Sequence, residues 1–320
     1  MRAVLALVVA VWTTAASAQQ FPSKPIRMIV PFPAGGTTDI VARLVGARMQ
    51  ETIGQPVLVE NKGGAGGQIG AAEVAKSAPD GYTLLMHNIT FPMASVAAAV
   101  QNRAMYNIEG DFAGVSICVY VPLVITAHPS VPANNLRELV DLLQRDKALK
   151  YSYGSTGPGS FMHVLMEALF RETGIEMTHI PFKGAAPLKQ ELIAGRINVG
   201  GDQLSSSLAD IRAAKIKALA TNASKRTPDL PDVPTVRELG YANLEADGWN
   251  GLFVAAKTPR PVIDRLQKEV LAAVTHPETA KRLRDVGAEP VGSPPAEQDA
   301  ILKRQVDQFR PIIKDMRIEN

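Results

Sequence analysis

A single cysteine, Cys118, stands in a chain of 320 residues. One thiol excludes an internal disulfide, even in an oxidising compartment that would permit one. Its natural place is as a small buried hydrophobe in the β-prone run from Gly114 to Val121. Long apolar runs are missing too. The N-terminal run from Ala3 to Trp12 is about ten residues, whereas a hydrocarbon core needs roughly 20, which excludes a membrane-spanning anchor there. Preceded by Arg2 and followed by Ala16-Ser17-Ala18, it has the pattern of a cleavable export signal over residues 1–18. No cysteine stands directly after the cleavage point to carry a lipid, so a soluble periplasmic protein is expected.

Neither sign of charge is in excess. The chain has 34 Lys and Arg against 31 Asp and Glu, and loss of Arg2 with the signal leaves 33 minus 31, or +2. Without a basic stripe, neither nucleic acid nor an anionic membrane surface is an expected partner. Catalytic spacings are absent as well. The segment from Pro31 to Thr38 lacks the G-x-G-x-x-G of a nicotinamide site, and no G-x-S-x-G elbow occurs. The five histidines, His87, His128, His163, His179 and His276, form no H-E-x-x-H pattern. His163 and Glu167 share a helical face, but two ligands without a third make a surface pair more often than a metal site.

What is present is an alternation of short β-rich runs with runs of helical period, the mark of α/β units around mostly parallel sheets. The clearest unit is a strand from Ile26 to Val30, a helix carrying Ile40, Val41, Leu44 and Val45, and Gly54 as its C-cap. A βαβαβ lobe follows from it. A long β-prone segment from Phe112 to Ala127 leads into a second set of units, and the last third of the chain is mainly helical. The expected organisation is two lobes, residues 19–125 with 248–320 and residues 126–247. Two hinge crossings join them, each lobe is a mixed, mostly parallel sheet flanked by helices, and a cleft lies between.

Three strand-to-helix turns carry the chemistry. The first, from Pro31 to Gly36, has prolines that fix φ, glycines that allow a tight turn, and Thr37, Thr38 and Asp39 as capping oxygens. It offers backbone N–H groups and a positive helix end to a carboxylate, with no need for a cationic side chain. A connection that merely turns is the alternative. The second turn, Gly154-Ser155-Thr156-Gly157-Pro158-Gly159-Ser160, repeats the design in the other lobe. Ligands of open α/β sheets bind outside the carboxyl ends of strands, where both turns fall. The third runs from Pro181 to Pro187 through Phe182, Lys183 and Gly184. Asp202 either accepts a hydrogen bond from a ligand hydroxyl or amine or caps the helix after it.

The run Pro31-Phe32-Pro33-Ala34-Gly35-Gly36-Thr37-Thr38-Asp39 resembles the first binding loop of the tripartite tricarboxylate transporter substrate-binding receptors, the Bug family. Further matches span the mature chain: Val59-Glu60-Asn61-Lys62, Pro79-Asp80-Gly81-Tyr82, Tyr153-Gly154-Ser155, His179-Ile180-Pro181, Leu230-Pro231-Asp232 and Trp249-Asn250-Gly251-Leu252. The resemblance implies a type II periplasmic binding fold and a receptor without catalysis or cofactor, monomeric as a working default. Such a receptor captures a mono- or dicarboxylate, aliphatic or aromatic, and delivers it to the membrane subunits of a transporter. Phe32, Ala34, Gly35, Gly36, Thr37 and Thr38 would hold one carboxylate, and Ser155, Thr156, Gly157 and Ser160 the other end. His87, Asn88, Phe182, Gly184 and Asp202 would line the wall. Phe182 replaces the family's common Tyr, and His87-Asn88 departs from its usual Asn-Pro segment, so these positions bear on ligand identity. A carboxylate sensor acting in signalling, an exported α/β enzyme, and the effector domain of a transcription regulator are the other readings. The last requires a DNA-binding module where the signal peptide stands.

Overall fold

In this computed structural model the described residues are 21–316, so the expected signal, residues 1–18, lies outside them. The chain begins with β1 (Ile26–Val30) and α1 (Thr37–Ile53). That helix ends on Gly54, whose φ of 75° and N–H bond to the Gln50 carbonyl make a left-handed cap. β2 (Val57–Asn61), α2 (Gln68–Ala75), β3 (Thr83–Asn88), α3 (Thr90–Val100) and β4 (Phe112–Tyr120) follow. Next come β5 (Leu123–Ala127), α4 (Leu136–Arg145), β6 (Ser152–Ser155), α5 (Phe161–Thr173), β7 (Thr178–Pro181), α6 (Ala185–Ile193), β8 (Val199–Gln203), α7 (Leu208–Arg212) and β9 (Lys217–Thr221). The chain then returns through β10 (Trp249–Ala255), α8 (Arg260–Thr275), α9 (Pro277–Asp285), β11 (Glu289–Pro290) and α10 (Pro295–Lys314).

Two sheets result. The first has the order β11-β4-β10-β3-β1-β2, with β1 parallel to β2 and β3 and with β10 antiparallel between β3 and β4. The second has the order β7-β6-β8-β5-β9, with β6 parallel to both neighbours and β5 antiparallel to β8 and β9. Side chains of β1 alternate between two buried layers, which is why the strand reads as nearly continuous apolar sequence. Met28 and Val30 pack with α1 and α8, while Ile29 faces the layer shared with α3 and α10. The C-terminal helices thus complete the first lobe, and Trp249 is locked beneath them by its Nε1 bond to Gln305 Oε1 at 2.9 Å.

The segment from Phe112 to Ala127 is two strands in different sheets, where the sequence reads as one β-prone run. Its break falls at Val121-Pro122, just ahead of residue 125, so Leu123 to Ile125 pair in the second sheet. Pro122 has no N–H to continue a ladder, and its carbonyl accepts from Leu204 N at 2.8 Å. The returning strand lies against the outgoing one, since Val121 N donates to the Gly248 carbonyl at 2.8 Å. A Cβ at Gly248 would sit 2.2 Å from the Val121 carbonyl oxygen, so glycine is required where the two crossings touch.

Candidate functional site

The first turn is held from within. Asp39, buried in the first turn of α1, accepts hydrogen bonds from Gly35 N at 3.0 Å, Asn61 Nδ2 at 2.9 Å and Arg43 Nε at 3.0 Å. Burial opposes its charge, but Arg43, the Gly35 amide and Asn61 outweigh that and keep its carboxyl below the usual range. The Gly35 N–H expected to grip a ligand is therefore spent on Asp39, and both Ala34 and Gly35 face solvent. Phe32, Gly36, Thr37 and Thr38 are the part of the turn that lines a cavity. Gly36 caps α1 without a side-chain bond, which leaves the first amides of the helix uncapped.

That cavity adjoins a second, and Asn88, Thr156 and Asp202 line both. Four helix starts border the pair: Thr37 and Thr38 of α1, Thr90 of α3, Phe161 and Met162 of α5, and Ala185 of α6. Each brings a partial positive end. Among the described residues no Lys or Arg lines either cavity, and Asp202 is the one carboxylate. Anion affinity there comes from backbone amides and neutral donors.

The lobes meet around these cavities. Thr37 Oγ1 donates to the Gln203 carbonyl at 3.1 Å and accepts from Ser206 N at 3.1 Å. Asn88 Nδ2 reaches Thr38 Oγ1 at 3.0 Å and Gln203 Oε1 at 3.4 Å, while Asn250 Nδ2 donates to the same Gln203 oxygen at 3.0 Å. Gly184 packs its backbone against Pro33, and Gly157 lies against the backbone of Gly66. Both glycines serve lobe contact, and neither lines a cavity.

Several expected ligand contacts have other partners. Ser155 Oγ sits 2.7 Å from His179 Nε2 and accepts from Gly157 N at 3.2 Å, so its hydroxyl shapes its own turn. Behind it, the rings of His179 and His163 stack at 4.1 Å, and His163 Nδ1 accepts from Gly159 N at 3.0 Å. Burial lowers these histidines to about 4 and about 3, so both are neutral supports. Ser160 Oγ, at the start of α5, is buried without a partner. The Phe182 ring lies beside Gly154 and joins the small core of Leu188, Leu192 and Ile197. His87 is also away from the cavity. It stacks on Phe91 at 4.6 Å, meets Phe32 edge-on at 5.2 Å, and burial drops it to about 3. Phe182 and His87 thus back the wall, and Asn88, Thr156 and Asp202 form it.

Residues the sequence reading missed are Gln203 and Asn222, together with the helix start at Thr90. Gln203 had a signal, since it directly follows Asp202 at the end of β8. Asn222 had none, because it is an isolated polar residue after a strand.

Residues 41–318 match the family model described as tripartite tricarboxylate transporter family receptor. The solved periplasmic binding protein BugD superposes with a TM-score of 0.86 at 36% identity, covering 93% of this chain and 99% of its own. MatC from Rhodopseudomonas palustris, solved with bound malate, superposes at 0.85 and 32% identity over 92% of this chain and 100% of its own. An R. palustris protein solved with adipate gives 0.82 and 29% identity over 92% of this chain and 97% of its own. The two-sheet, two-lobe architecture is shared with these binding proteins.

Proposed function

Because this chain belongs to the tripartite tricarboxylate transporter receptor family, we propose that it is a periplasmic solute receptor for a small organic acid. It captures a mono- or dicarboxylate between its lobes and delivers it to the membrane subunits of a tripartite transporter, without chemical change to the ligand. The observation that carries this reading is the convergence of four helix starts on cavities with no Lys or Arg in their lining. Such a site binds carboxylate through fixed amides, whose dipoles need no reorganisation. Two of its structural relatives were solved with small organic acids, malate and adipate.

Thr37 and Asn88 supply the coupling between capture and closure. They border the cavity and bond across the cleft to Gln203, so a ligand that orders them favours the closed form. A thermal-shift screen of aliphatic and aromatic acids tests the reading. An acid at 100 times its Kd adds about 2.7 kcal/mol to the folded state, a rise of several degrees. A panel in which no carboxylate moves the melting temperature overturns it.

A further inference from the structure

The two cavities differ in what they ask of a ligand. The first, bordered by the starts of α1 and α6, presents Gly36, Thr37, Thr38 and Thr156 and suits a carboxylate. The second holds two acceptors. One is Asp202, which lines both cavities and whose Oδ2 takes a bond from Ser206 Oγ at 3.0 Å. The other is Asn222, 1% exposed, whose Nδ2 is spent on the Leu244 carbonyl at 2.6 Å and whose Oδ1 has no partner. A buried acceptor without a donor costs about 1–3 kcal/mol, so this end of the site is completed by a ligand that donates.

Resting on the receptor reading above, we propose that Asp202 and Asn222 set specificity by requiring a hydrogen-bond donor on the ligand. The preferred class is an organic acid bearing a hydroxyl or ammonium group. A plain dicarboxylate is accepted only with a proton, held between its carboxylate and that of Asp202.

The charges around Asp202 agree. Lys189 of α6 is the nearest cation, but it is engaged by Asp210 of α7 at 2.8 Å and by the Ser206 carbonyl. Asp39 of α1 is turned to Gly35, Asn61 and Arg43. His87 on β3, His163 on α5 and His179 on β7 are neutral at ordinary pH. Lys189 is therefore not free to offset a second carboxylate. Burial raises Asp202 to about 6, against the opposing pull of the Gln203 amide, Ser206 and Lys189. Protonation is thus within reach of mildly acidic conditions.

4-Hydroxybutyrate and succinate share a four-carbon skeleton and one carboxylate and differ in whether the far end donates a hydrogen bond or carries a second charge, so they serve as the probes. Calorimetry of the mature protein between pH 5 and 8, in two buffers of different ionisation enthalpy, reads affinity and proton uptake together. At pH 8 4-hydroxybutyrate binds at least tenfold more tightly than succinate, and succinate takes up about one proton. The gap narrows toward pH 5. In Asp202→Asn, succinate binding loses its proton uptake and 4-hydroxybutyrate its advantage. Equal affinities with no proton uptake in the wild-type protein overturn the specificity role and leave the receptor reading intact. Failure of every acid to bind overturns both. The wild-type proton count needs no variant, so a misfolded Asp202→Asn does not spare the proposal.

Discussion

Asp39 gathers three donors at the head of α1, and that single carboxylate decides which amides of the turn remain for a ligand. Its depressed pKa fixes the sign of its contribution to stability. The stabilisation is full above the unfolded value, about 3.9, and fades as pH falls through the lower folded value. Asp39→Asn is therefore expected to lower the melting temperature at pH 7, and the difference from wild type should close below about pH 4. A difference that does not shrink at all as pH falls below 4 would count against the charge as its source. Thr37 acts across the cleft through two bonds, each contributing about 1 kcal/mol. Thr37→Ala should weaken ligand binding about thirtyfold by calorimetry, because losing both bonds across the cleft costs about 2 kcal/mol. At this scale the sequence was half legible. Glycines and hydroxyls mark a turn at Pro31 to Thr38, but which amide is consumed internally depends on Asn61, from a different strand. In the same way the Ser155 hydroxyl is committed to His179, 24 residues on.

Strand-to-helix units were the most readable part of the chain, since a change of period from 2 to 3.6 survives without tertiary information. α1 lies where the apolar spacing predicts it, and α8, α9 and α10 fill the last third, as its mainly helical pattern predicts. α3 left no such trace. Its residues from Thr90 to Ala97 are all buried, so it has no polar face to generate a period, and Pro92 further disguises it. α3 nonetheless brings its start at Thr90 to the cavity, beside Asn88 at the end of β3, so one missed helix cost part of the site. The turn ahead of α5 depends on histidines that burial keeps neutral. With folded pKa values of about 3 and 4 against an unfolded 6.5, the unfolded chain binds more protons as pH drops, and stability falls from about pH 6.5 downward. Melting temperatures of His163→Asn measured between pH 7 and 4 should show a shallower fall than wild type. A parallel fall would mean that His163 is not among the groups responsible.

Closure of the whole molecule turns on the pair of crossing strands, because side chains on their two faces enter different spaces. Asn222 lines the ligand cavity, whereas its neighbour Ala223 lines a broad groove that shares no lining residue with the cavities. Pro122 and Leu123 divide in the same way. The groove is floored by the crossings at Val121-Pro122 and Asp247-Gly248, and walled by Lys225 to Asp229 on one side and Arg284 to Glu289 on the other. Rotation that parts the ligand cavity must bring those walls together, as for any hinge with a gap on its far side. A side chain large enough to fill the groove therefore penalises the open form and leaves the closed form undisturbed. Ala223→Trp is expected to tighten acid binding severalfold, since less free energy is spent on closing. Small-angle scattering should report a smaller radius of gyration for the ligand-free variant than for ligand-free wild type. Unchanged affinity and unchanged dimensions would place the axis of opening away from the Val121–Gly248 contact.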